Sequence, residues 1–517
     1  MSKKISYLPY VFFLALLPAM IFRDFSPANE LRYLSIADEA IKQGHLFAFT
    51  NHGWMYADKP PLYLWIIMLG KMIFGRHCMW FLSLFSFVPA MVILRVMDRW
   101  MRNILPLQAR FTGNLMLMSC GLFLCLSLFL RMDMLMCMFI TLALYSFWKT
   151  YTSPDERSVS IWFPVFIFLA IFTKGPIGFL VPFISTVAFL LVKRQAAMIR
   201  RFWGWKTWGI LLTLCVLWFF MVWQEGGSPY LCNLLFHQTV DRAFNAFHHK
   251  EPFYYYLVVF WYLLAPWSLL IVSVYATAFK QHVKINEEER FFLTSIVTAF
   301  VILSLISSKI EVYLLPIFPY FVYLTVSLMQ RIRENVWTRL SMIIPSLIFT
   351  LAPVFLAIAI SRRWMGDTNR VLCILAAISF FASGVYALWL LRKGGTLCRQ
   401  VNSLACGIFV ALFLFGFAVS GMNTEWGYGD LCQKAKEVAT MEHRQHYYSY
   451  GIPRSENMDV FLGKDVKEVS AQDILTGKSD DGVLMIRAKR LKHDLPLKHY
   501  VESHKYMHVG RNLIIEE

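Results

Sequence analysis

The chain has 517 residues, of which 57% are hydrophobic and only 16% are charged, and its formal net charge is +17. A water-soluble protein of this length needs far more charge to cover its surface, so the composition excludes a soluble enzyme and predicts a polytopic membrane protein. The positive charge does not indicate a nucleic-acid partner, because it falls in short segments between apolar runs, where it orients the chain in the membrane.

The chain opens with an apolar segment, ISYLPYVFFLALLPAMIF (residues 5–22), which is long enough to cross a bilayer. Lys3 and Lys4 precede it, and this arrangement also fits a cleaved signal peptide. Since no clear small-x-small cleavage site follows, we interpret the segment as a retained first span. Further apolar runs bring the prediction to 13 spans, at residues 78–94, 112–130, 134–148, 160–173, 175–192, 207–223, 254–275, 291–308, 312–329, 340–360, 371–391 and 403–421.

The segment SPANELRYLSIADEAIKQG, directly after the first span, is polar and predicts a helix that Ser26 caps and Gly44 ends. Asn29, Arg32 and Tyr33 stand at i, i+3 and i+4 and therefore share one face of that helix. We expect the helix to lie on the membrane and to present this polar face to a site. A plain amphipathic surface helix is the alternative.

Residues 61–75, PLYLWIIMLGKMIFG, are apolar but short for a span, and Lys71 interrupts them. We therefore expect a helix lying at the membrane interface. With the N-terminus inside and 13 spans, every inside loop is basic, as the positive-inside rule requires, whereas a fourteenth span at 61–75 would reverse all later loops. One outer loop, residues 361–370, is also basic and does not fit the rule.

The last part of the chain, residues 422–517, is polar, with a helix-like QKAKEVATMEH and strand-like GVLMIRA and NLIIEE. We predict a small α/β domain on the outer surface, following a membrane domain at residues 1–421 whose first outer loop (23–77) carries interfacial helices. The cysteines show no CxxC or Cys/His metal spacing, so we expect small buried hydrophobic residues. Cys232 and Cys432 are the only pair for which we consider a disulfide.

Ionisable residues recur where predicted spans meet at their outer ends. Charge close to hydrocarbon is costly, so its clustering at one face of the membrane is informative. Ordinary rim charges with snorkelling stems are the alternative. The residues concerned are Asp58 and Lys59 before Pro60, Asp133 in FLRMDMLM, Lys174 in IFTKGPIG, and Lys309 and Tyr313 in SSKIEVYLLP.

The chain contains neither a GxGxxG nor a P-loop motif, and no inside domain could hold a nucleotide. A donor carried on a lipid phosphate fits an outward-facing site better. Its phosphate would lie at headgroup level, where cations would bind it and stabilise the charge that develops as it leaves. A carboxylate would remove the proton of an acceptor hydroxyl. The predicted phosphate-binding cations are Arg32, Lys59, Lys174 and Lys309.

The stretches ANELRY, YADKPPLYLW, LRMDMLM, FTKGP, HHKEPFYYYL and KIEVYLLPIFP, in this order, resemble the C-type glycosyltransferases of the aminoarabinose transferase and protein O-mannosyltransferase group. The resemblance covers roughly residues 5 to 420 and is nearest to the bacterial lipid A aminoarabinose transferase type. It implies transfer of a sugar from a polyprenyl (undecaprenyl) phosphate donor to a lipid or protein acceptor. It also implies a multi-pass protein of a bacterial inner membrane, with the active site and the C-terminal domain in the periplasm.

Carried over by position, the resemblance gives Arg32, Lys59, Lys174 and Tyr313 the role of contacting the lipid phosphate. It matches Asp133 to the acidic residue of the second outer junction. These assignments agree with the cations chosen above from their position at the rim.

The chain departs from the family at Asn29, where relatives carry a catalytic Asp. An asparagine cannot accept a proton, so Glu30 or Asp133 must act as the base, or activity is altered or lost. We favour Asp133 as the essential base, with Glu30 contributing and Asn29 orienting the acceptor through hydrogen bonds.

Relatives carry an acidic residue at the position of Asp58, and in some it binds a metal together with a histidine of the large outer loop. His237, His248 and His249 lie in that loop here, but their spacing does not match closely. We therefore assign no metal ligands, with a divalent metal as the alternative, and expect His248 to make polar contacts near headgroups.

Two other functions compete with sugar transfer. A transporter or flippase of lipid-linked sugars would place charges near the membrane midplane, often on repeated halves, whereas here they sit at the rim and no repeat is visible. A non-catalytic lipid-binding relative is the third interpretation, and Asn29 is the reason to consider it.

Overall fold

The computed structural model describes residues 2–153, 159–236, 250–362 and 368–516. Helices make up nearly all of the chain up to the C-terminal sheet. In the first half these are α1 (Ser2–Phe13), α2 (Leu17–Phe22), α3 (Glu30–Gln43), α4 (Leu62–Phe74), α5 (Met79–Trp100), α6 (Leu107–Met118), α7 (Gly121–Leu128), α8 (Asp133–Thr152), α9 (Trp162–Lys174), α10 (Ile177–Val192), α11 (Ala197–Phe202) and α12 (Trp205–Cys232). In the second half they are α13 (Tyr255–Leu263), α14 (Ser268–Lys280), α15 (Glu287–Leu305), α16 (Phe318–Met329), α17 (Val336–Thr350), α18 (Ala352–Ser361), α19 (Arg370–Arg392), α20 (Leu397–Ala418), α21 (Asn423–Trp426), α22 (Gly429–Met441), α23 (Asp459–Leu462), α24 (Ala471–Leu475) and α25 (Leu495–Ser503).

Each predicted span coincides with one of these helices or with two consecutive ones. By length and composition, seven helices in the described part of the chain could cross a membrane, or nine if each of two bent pairs is one span. Of the other four predicted spans, three are shorter helices, and the fourth, α15, begins with three glutamates. The polytopic all-α fold is confirmed, whereas the number of 13 spans stays a prediction.

The two bent pairs break at the same level and bind each other there. α6 and α7 meet at 68°, and α13 and α14 meet at 111°. The Gly121 N–H donates to the Ala265 carbonyl at 2.8 Å, and the Trp267 indole N–H donates to the Ser119 hydroxyl at 3.0 Å. Backbone groups that the breaks release are thus satisfied inside the protein, as a low-dielectric interior requires.

Helix α3 differs from the prediction at its start and in its surroundings. It begins at Glu30, with Asn29 at the N-cap and Gly44 in the left-handed conformation that ends it. Ser26 does not cap it, because the helix starts three residues later than predicted; the Ser26 backbone N–H donates to the Glu30 carboxylate at 2.6 Å. The helix does not lie open on a surface either, because Leu31 and Leu34 are fully buried in a cluster shared with α4 and the C-terminal domain.

The short helix α4 packs on α3, and one polar cluster fixes the pair. Asp38 accepts hydrogen bonds from His77 Nε2 at 2.7 Å and from Lys71 Nζ at 2.6 Å. Burial alone would raise the pKa of Asp38, but these two partners outweigh it and the pKa is lowered. Lys71, which interrupts the apolar run of α4, therefore joins α4 to α3 through its ion pair with Asp38.

Beyond α3 the first outer loop contains a small hairpin of β1 (Thr50–Asn51) and β2 (Trp54–Met55). The Glu39 carboxylate closes its turn by accepting from the N–H groups of His52 at 2.7 Å and Gly53 at 2.9 Å.

The C-terminal part is an α/β domain, as predicted. Its strands are β3 (His446–Tyr450), β4 (Val466–Glu468), β5 (Gly482–Arg487), β6 (Lys505–Val509) and β7 (Asn512–Glu516). The sheet has the order β4-β3-β5-β7-β6, with β3 parallel to β4 and β5, and with β7 antiparallel to β5 and β6. α22 covers one face, while α24 and α25 cover the other.

This domain is joined to the end of the first span at Asp24. The Asp24 N–H donates to Asn423 Oδ1 at 3.0 Å, and the Gly429 N–H donates to Asp24 Oδ2 at 2.8 Å. A Cβ atom on Gly427 would lie 2.1 Å from the same oxygen, so only glycine fits there. The predicted disulfide is wrong, since Cys232 is exposed, Cys432 is buried in the C-terminal domain, and both thiols are free.

Candidate active site

A cavity of about 350 Å³ lies where the first outer loop meets the ends of α9, α12 and α15. Its walls are apolar, with Phe179, Leu180 and Trp218 among them. Polar groups gather at one end. These are Asp58, Lys59, Lys174, Ser308 and Tyr313, four of which are predicted site residues. The cavity therefore combines an apolar passage with two lysines and a carboxylate.

Lys174 is placed by the junction of α9 and α10. α9 ends there because Gly175 adopts a positive φ of 92° and Pro176 begins the next helix. The buried Lys174 ammonium forms an ion pair with Asp133, and it lies 5.2 Å from the centre of the Tyr313 ring, a cation–π distance.

Asp133 lies behind Lys174 rather than on the cavity wall. It is the first residue of α8 and is only 1% exposed. One carboxylate oxygen pairs with Lys174, and the other accepts from Arg131 Nε at 2.9 Å. Both carboxylate oxygens are thus occupied by cationic partners, and the side chain does not line the cavity. This geometry suits a residue that orients Lys174 better than it suits a base.

Arg32 connects α3 to the polar end of the cavity. Burial lowers the pKa of the Arg32 guanidinium, but the hydroxyls of Tyr56 and Tyr33 and the Asp58 carboxylate more than offset this, and the net pKa is raised. Its Cζ lies 5.5 Å from the centre of the Tyr33 ring. Arg32 is thus a permanent cation close to Asp58, on the same loop as Lys59.

Glu30 is held in a closed set of hydrogen bonds. Its carboxylate is 1% exposed and accepts from both terminal nitrogens of Arg23, at 2.6 and 2.8 Å. It also accepts from the N–H groups of Ser26 at 2.6 Å and Leu130 at 2.7 Å. With these acceptor positions filled, the geometry argues against Glu30 as the base and gives it the role of joining α3 to the turn before α8.

Arg23 is not among the predicted site residues, although its position in the sequence indicates a buried partner. It directly follows the first span and precedes an acidic helix start by seven residues. Its guanidinium also stacks over the ring of Phe129 at 4.6 Å. A charged residue at the end of an apolar run is costly unless paired, so a partner nearby could have been sought.

Besides Glu30, Arg32 and Asp133, three further predicted site residues in the described part of the chain do not line the cavity. Asn29 is exposed and its side chain does not cap α3. Tyr33 is buried with its ring edge-on to Tyr63, at 6.1 Å between centroids. Lys309 is buried and donates to the Glu251 carbonyl at 2.9 Å, so its ammonium supports the neighbouring loop.

The structure describes only some of the residues that a bound divalent metal would need. His237, His248 and His249 lie outside the described residues. Within the described ranges, no group of three or more His, Cys, Asp or Glu side chains is arranged to hold a metal ion. Asp58 is then the one described residue that the alternative would use, and no chemical step is built on a metal below.

The chain is similar to known proteins in part of its sequence and in its fold. Residues 58–223 match the family model described as dolichyl-phosphate-mannose-protein mannosyltransferase. The undecaprenyl phosphate-alpha-4-amino-4-deoxy-L-arabinose arabinosyl transferase of Pseudomonas savastanoi pv. phaseolicola is 26% identical over 314 residues, which are 59% of this chain and 57% of that protein. A transferase of that name from Proteus mirabilis is 21% identical over 412 residues, 76% of this chain and 71% of that protein. The match thus spans little more than half the length of the Pseudomonas protein.

The fold agrees over a longer stretch than the sequence. The crystal structure of ArnT from Cupriavidus metallidurans bound to undecaprenyl phosphate matches with a TM-score of 0.74 at 16% identity, covering 99% of this chain and 97% of that one. The apo crystal structure of the same protein gives a TM-score of 0.71 at 18% identity. In its matched family model, its similar relatives and its fold, this chain is similar to the C-type glycosyltransferases of the aminoarabinose transferase and protein O-mannosyltransferase group.

Proposed function

We propose that this protein transfers a sugar from a polyprenyl phosphate, with undecaprenyl phosphate as the carrier, to a lipid or protein acceptor on the periplasmic face of a bacterial inner membrane. The observation that carries the proposal is the cavity with Lys59 and Lys174 at one end and apolar walls elsewhere. A lipid phosphate has the same two parts, an anionic head and a long apolar chain. The printed names of the Pseudomonas and Proteus relatives point to the same donor class.

In this proposal the phosphate binds at the polar end, with Lys59 and Lys174 donating to its oxygens. Tyr313 holds the Lys174 ammonium over its ring, and Asp133 fixes it from behind. As the bond between the sugar C1 and the phosphate oxygen breaks, the electron pair stays on the phosphate. The two ammonium groups stabilise the added charge, which is the largest electrostatic change in the reaction.

The acceptor hydroxyl attacks C1 and loses its proton to a carboxylate. Asp58 is the carboxylate on the cavity wall, so we propose it as the proton acceptor, and Arg32 lies close to it. This changes the role first expected for Asp133, which remains a base only if the donor phosphate draws Lys174 away from it. Asn29 and Glu30 take no part in proton transfer here.

The test is single-turnover sugar transfer by the purified chain, with a panel of polyprenyl phosphate sugars and lipid or protein acceptors. Asp58→Asn should remove transfer while leaving donor binding within about twofold. Lys174→Met should weaken donor binding roughly ten- to a hundredfold, since a shielded charge-assisted contact is worth on the order of 1.5–3 kcal/mol. Normal turnover in folded Asp58→Asn would refute that role and return the base to Asp133.

The transporter alternative is tested with the same protein in vesicles. Movement of a labelled polyprenyl phosphate sugar between leaflets, without transfer to any acceptor, would favour a flippase. Donor binding with neither transfer nor movement would favour the non-catalytic relative.

A further inference from the structure

A second cavity of about 410 Å³ lies far along the chain from the site above, between α17, α18, α19 and α20. Its lining is apolar, including Phe355 of α18, Cys373 and Ala377 of α19, and Phe415 of α20. No residue of α18 is buried, so one wall of the cavity is a helix that packs only loosely on the bundle. The cavity is therefore a groove on the outside of the helical domain, where membrane lipid lies.

One end of this groove is basic. Arg362 directly follows α18, and Arg370 is the first residue of α19. Both side chains are exposed, and neither guanidinium has a hydrogen bond or ion pair with another residue in the described part of the chain. Two exposed guanidinium groups thus stand at the end of the groove where α18 ends and α19 begins.

Helical spacing places the charges on the groove side. Arg370 precedes Cys373 by three residues and Ala377 by seven, so the three share one face of α19. Arg362 follows Phe355 by seven residues, which is about two turns along the same line of α18. With a rise of about 1.5 Å per residue, the backbone of Arg370 lies only about 4.5 Å from that of Cys373 along the axis of α19.

The basic end lies on the side of the C-terminal domain. α19 and α20 pack along each other and are joined by residues 393–396, so they run antiparallel. α20 ends at Ala418, where the chain enters the C-terminal domain, so Arg370 lies at that end of the bundle. Residues 361–370 are the outer loop that departs from the positive-inside rule, and a bound anion would account for basic residues placed there.

We propose that this groove binds an anionic phospholipid, with one acyl chain between α18, α19 and α20 and the phosphate on Arg362 and Arg370. The charge complements the headgroup, and the apolar lining complements the chain. This site is separate from the donor cavity and does not depend on the proposed sugar transfer.

The test uses the full-length chain, purified and delipidated in detergent. It is incubated with phosphatidylglycerol or with phosphatidylethanolamine carrying the same acyl chains, and bound lipid is counted by native mass spectrometry. Each arginine near an anionic headgroup is worth on the order of 1 kcal/mol, so two should favour phosphatidylglycerol by about thirtyfold. Arg362→Ala with Arg370→Ala should abolish this preference, whereas Arg392→Ala with Lys393→Ala, at the opposite end of α19, should keep it.

A second readout locates the acyl chain. Alkylation of Cys373 by a small maleimide, followed by peptide mass spectrometry, should slow at least about threefold when phosphatidylglycerol is bound, while alkylation of Cys398 should not change. Glycerol phosphate, which has no acyl chain, should not protect Cys373. Equal retention of both lipids, or protection that persists in the double arginine variant, would overturn the proposal.

Discussion

The ion pair of Lys174 and Asp133 allows the sharpest test of how the site is built. Both side chains are buried, with 4% and 1% of their surfaces exposed. Asp133→Leu leaves the Lys174 ammonium buried and unpaired, which should cost about 3–5 kcal/mol. Lys174→Met should destabilise the protein less, because Arg131 still pairs with the Asp133 carboxylate.

The double variant should be less destabilised than the sum of the two single variants, because no unpaired charge remains between Lys174 and Asp133. Arg131, the other partner of Asp133, is 30% exposed on its side chain and can turn to water. We expect a coupling of at least about 2 kcal/mol, well above the few tenths that independent sites show. Unfolding in detergent, followed for wild type, both single variants and the double variant, measures this coupling directly.

The same four proteins separate positioning from binding. Adding undecaprenyl phosphate should stabilise the wild type through its binding free energy, and both variants that lack Lys174 should lose most of that stabilisation. Asp133→Leu should bind more weakly than wild type but more tightly than Lys174→Met, because the ammonium is present but no longer oriented. Additive destabilisation, or full stabilisation by the ligand in Lys174→Met, would refute the reasoning.

Three further changes test the supports around the site. Glu30→Gln should destabilise the protein by on the order of 3 kcal/mol in chemical unfolding, because Arg23 loses its buried charged partner. The folded variant should still transfer sugar at the wild-type rate. Loss of the chemical step alone would instead make Glu30 the base. Gly427→Ala should loosen the C-terminal domain in limited proteolysis, since the new methyl group meets Asp24, whereas Gly209→Ala, where a Cβ finds open space, should not. Because folding lowers the pKa of Asp38, the ionised Asp38 carboxylate stabilises the fold fully above its ordinary pKa near 4, and this stabilisation is lost as the pH falls through the folded pKa. Asp38→Asn should therefore flatten the pH dependence of unfolding below about pH 4. An unchanged profile would contradict the assignment.

The sequence was sufficient for features that depend on local composition. Apolar runs located the helices, and the α/β character of the tail followed from its alternating strands. Charges at the ends of spans identified Asp58, Lys59 and Lys174, because a charge beside hydrocarbon needs a reason to be there. Tyr313 came from the same rule combined with the family motif. These four residues converge on one cavity although up to 255 positions separate them.

Contacts with partners distant in sequence could not be predicted. Ser26 had a good capping sequence, but helix α3 starts at Glu30 with Asn29 at the N-cap. The Glu30 carboxylate accepts from the Leu130 N–H, 100 positions away. Lys309 donates to the carbonyl of Glu251, 58 positions away. None of these contacts leaves a trace in local sequence, because each is decided by how the helices pack.

The contacts that α3 makes explain why a polar helix directly follows the first span. Arg32 near its start faces Asp58 at the donor cavity, and Ser35, one turn later, donates to Asp459 of the C-terminal domain at 2.7 Å. A helix is stiff over one turn, so a shift of the C-terminal domain against α3 must reach Arg32 and, through it, Asp58. In the proposed mechanism, in contrast, the donor phosphate binds to Lys174, which is held by its position at the end of α9 and by Asp133 of α8. Changes in the C-terminal domain should therefore act on acceptor use and proton transfer while leaving donor affinity nearly constant.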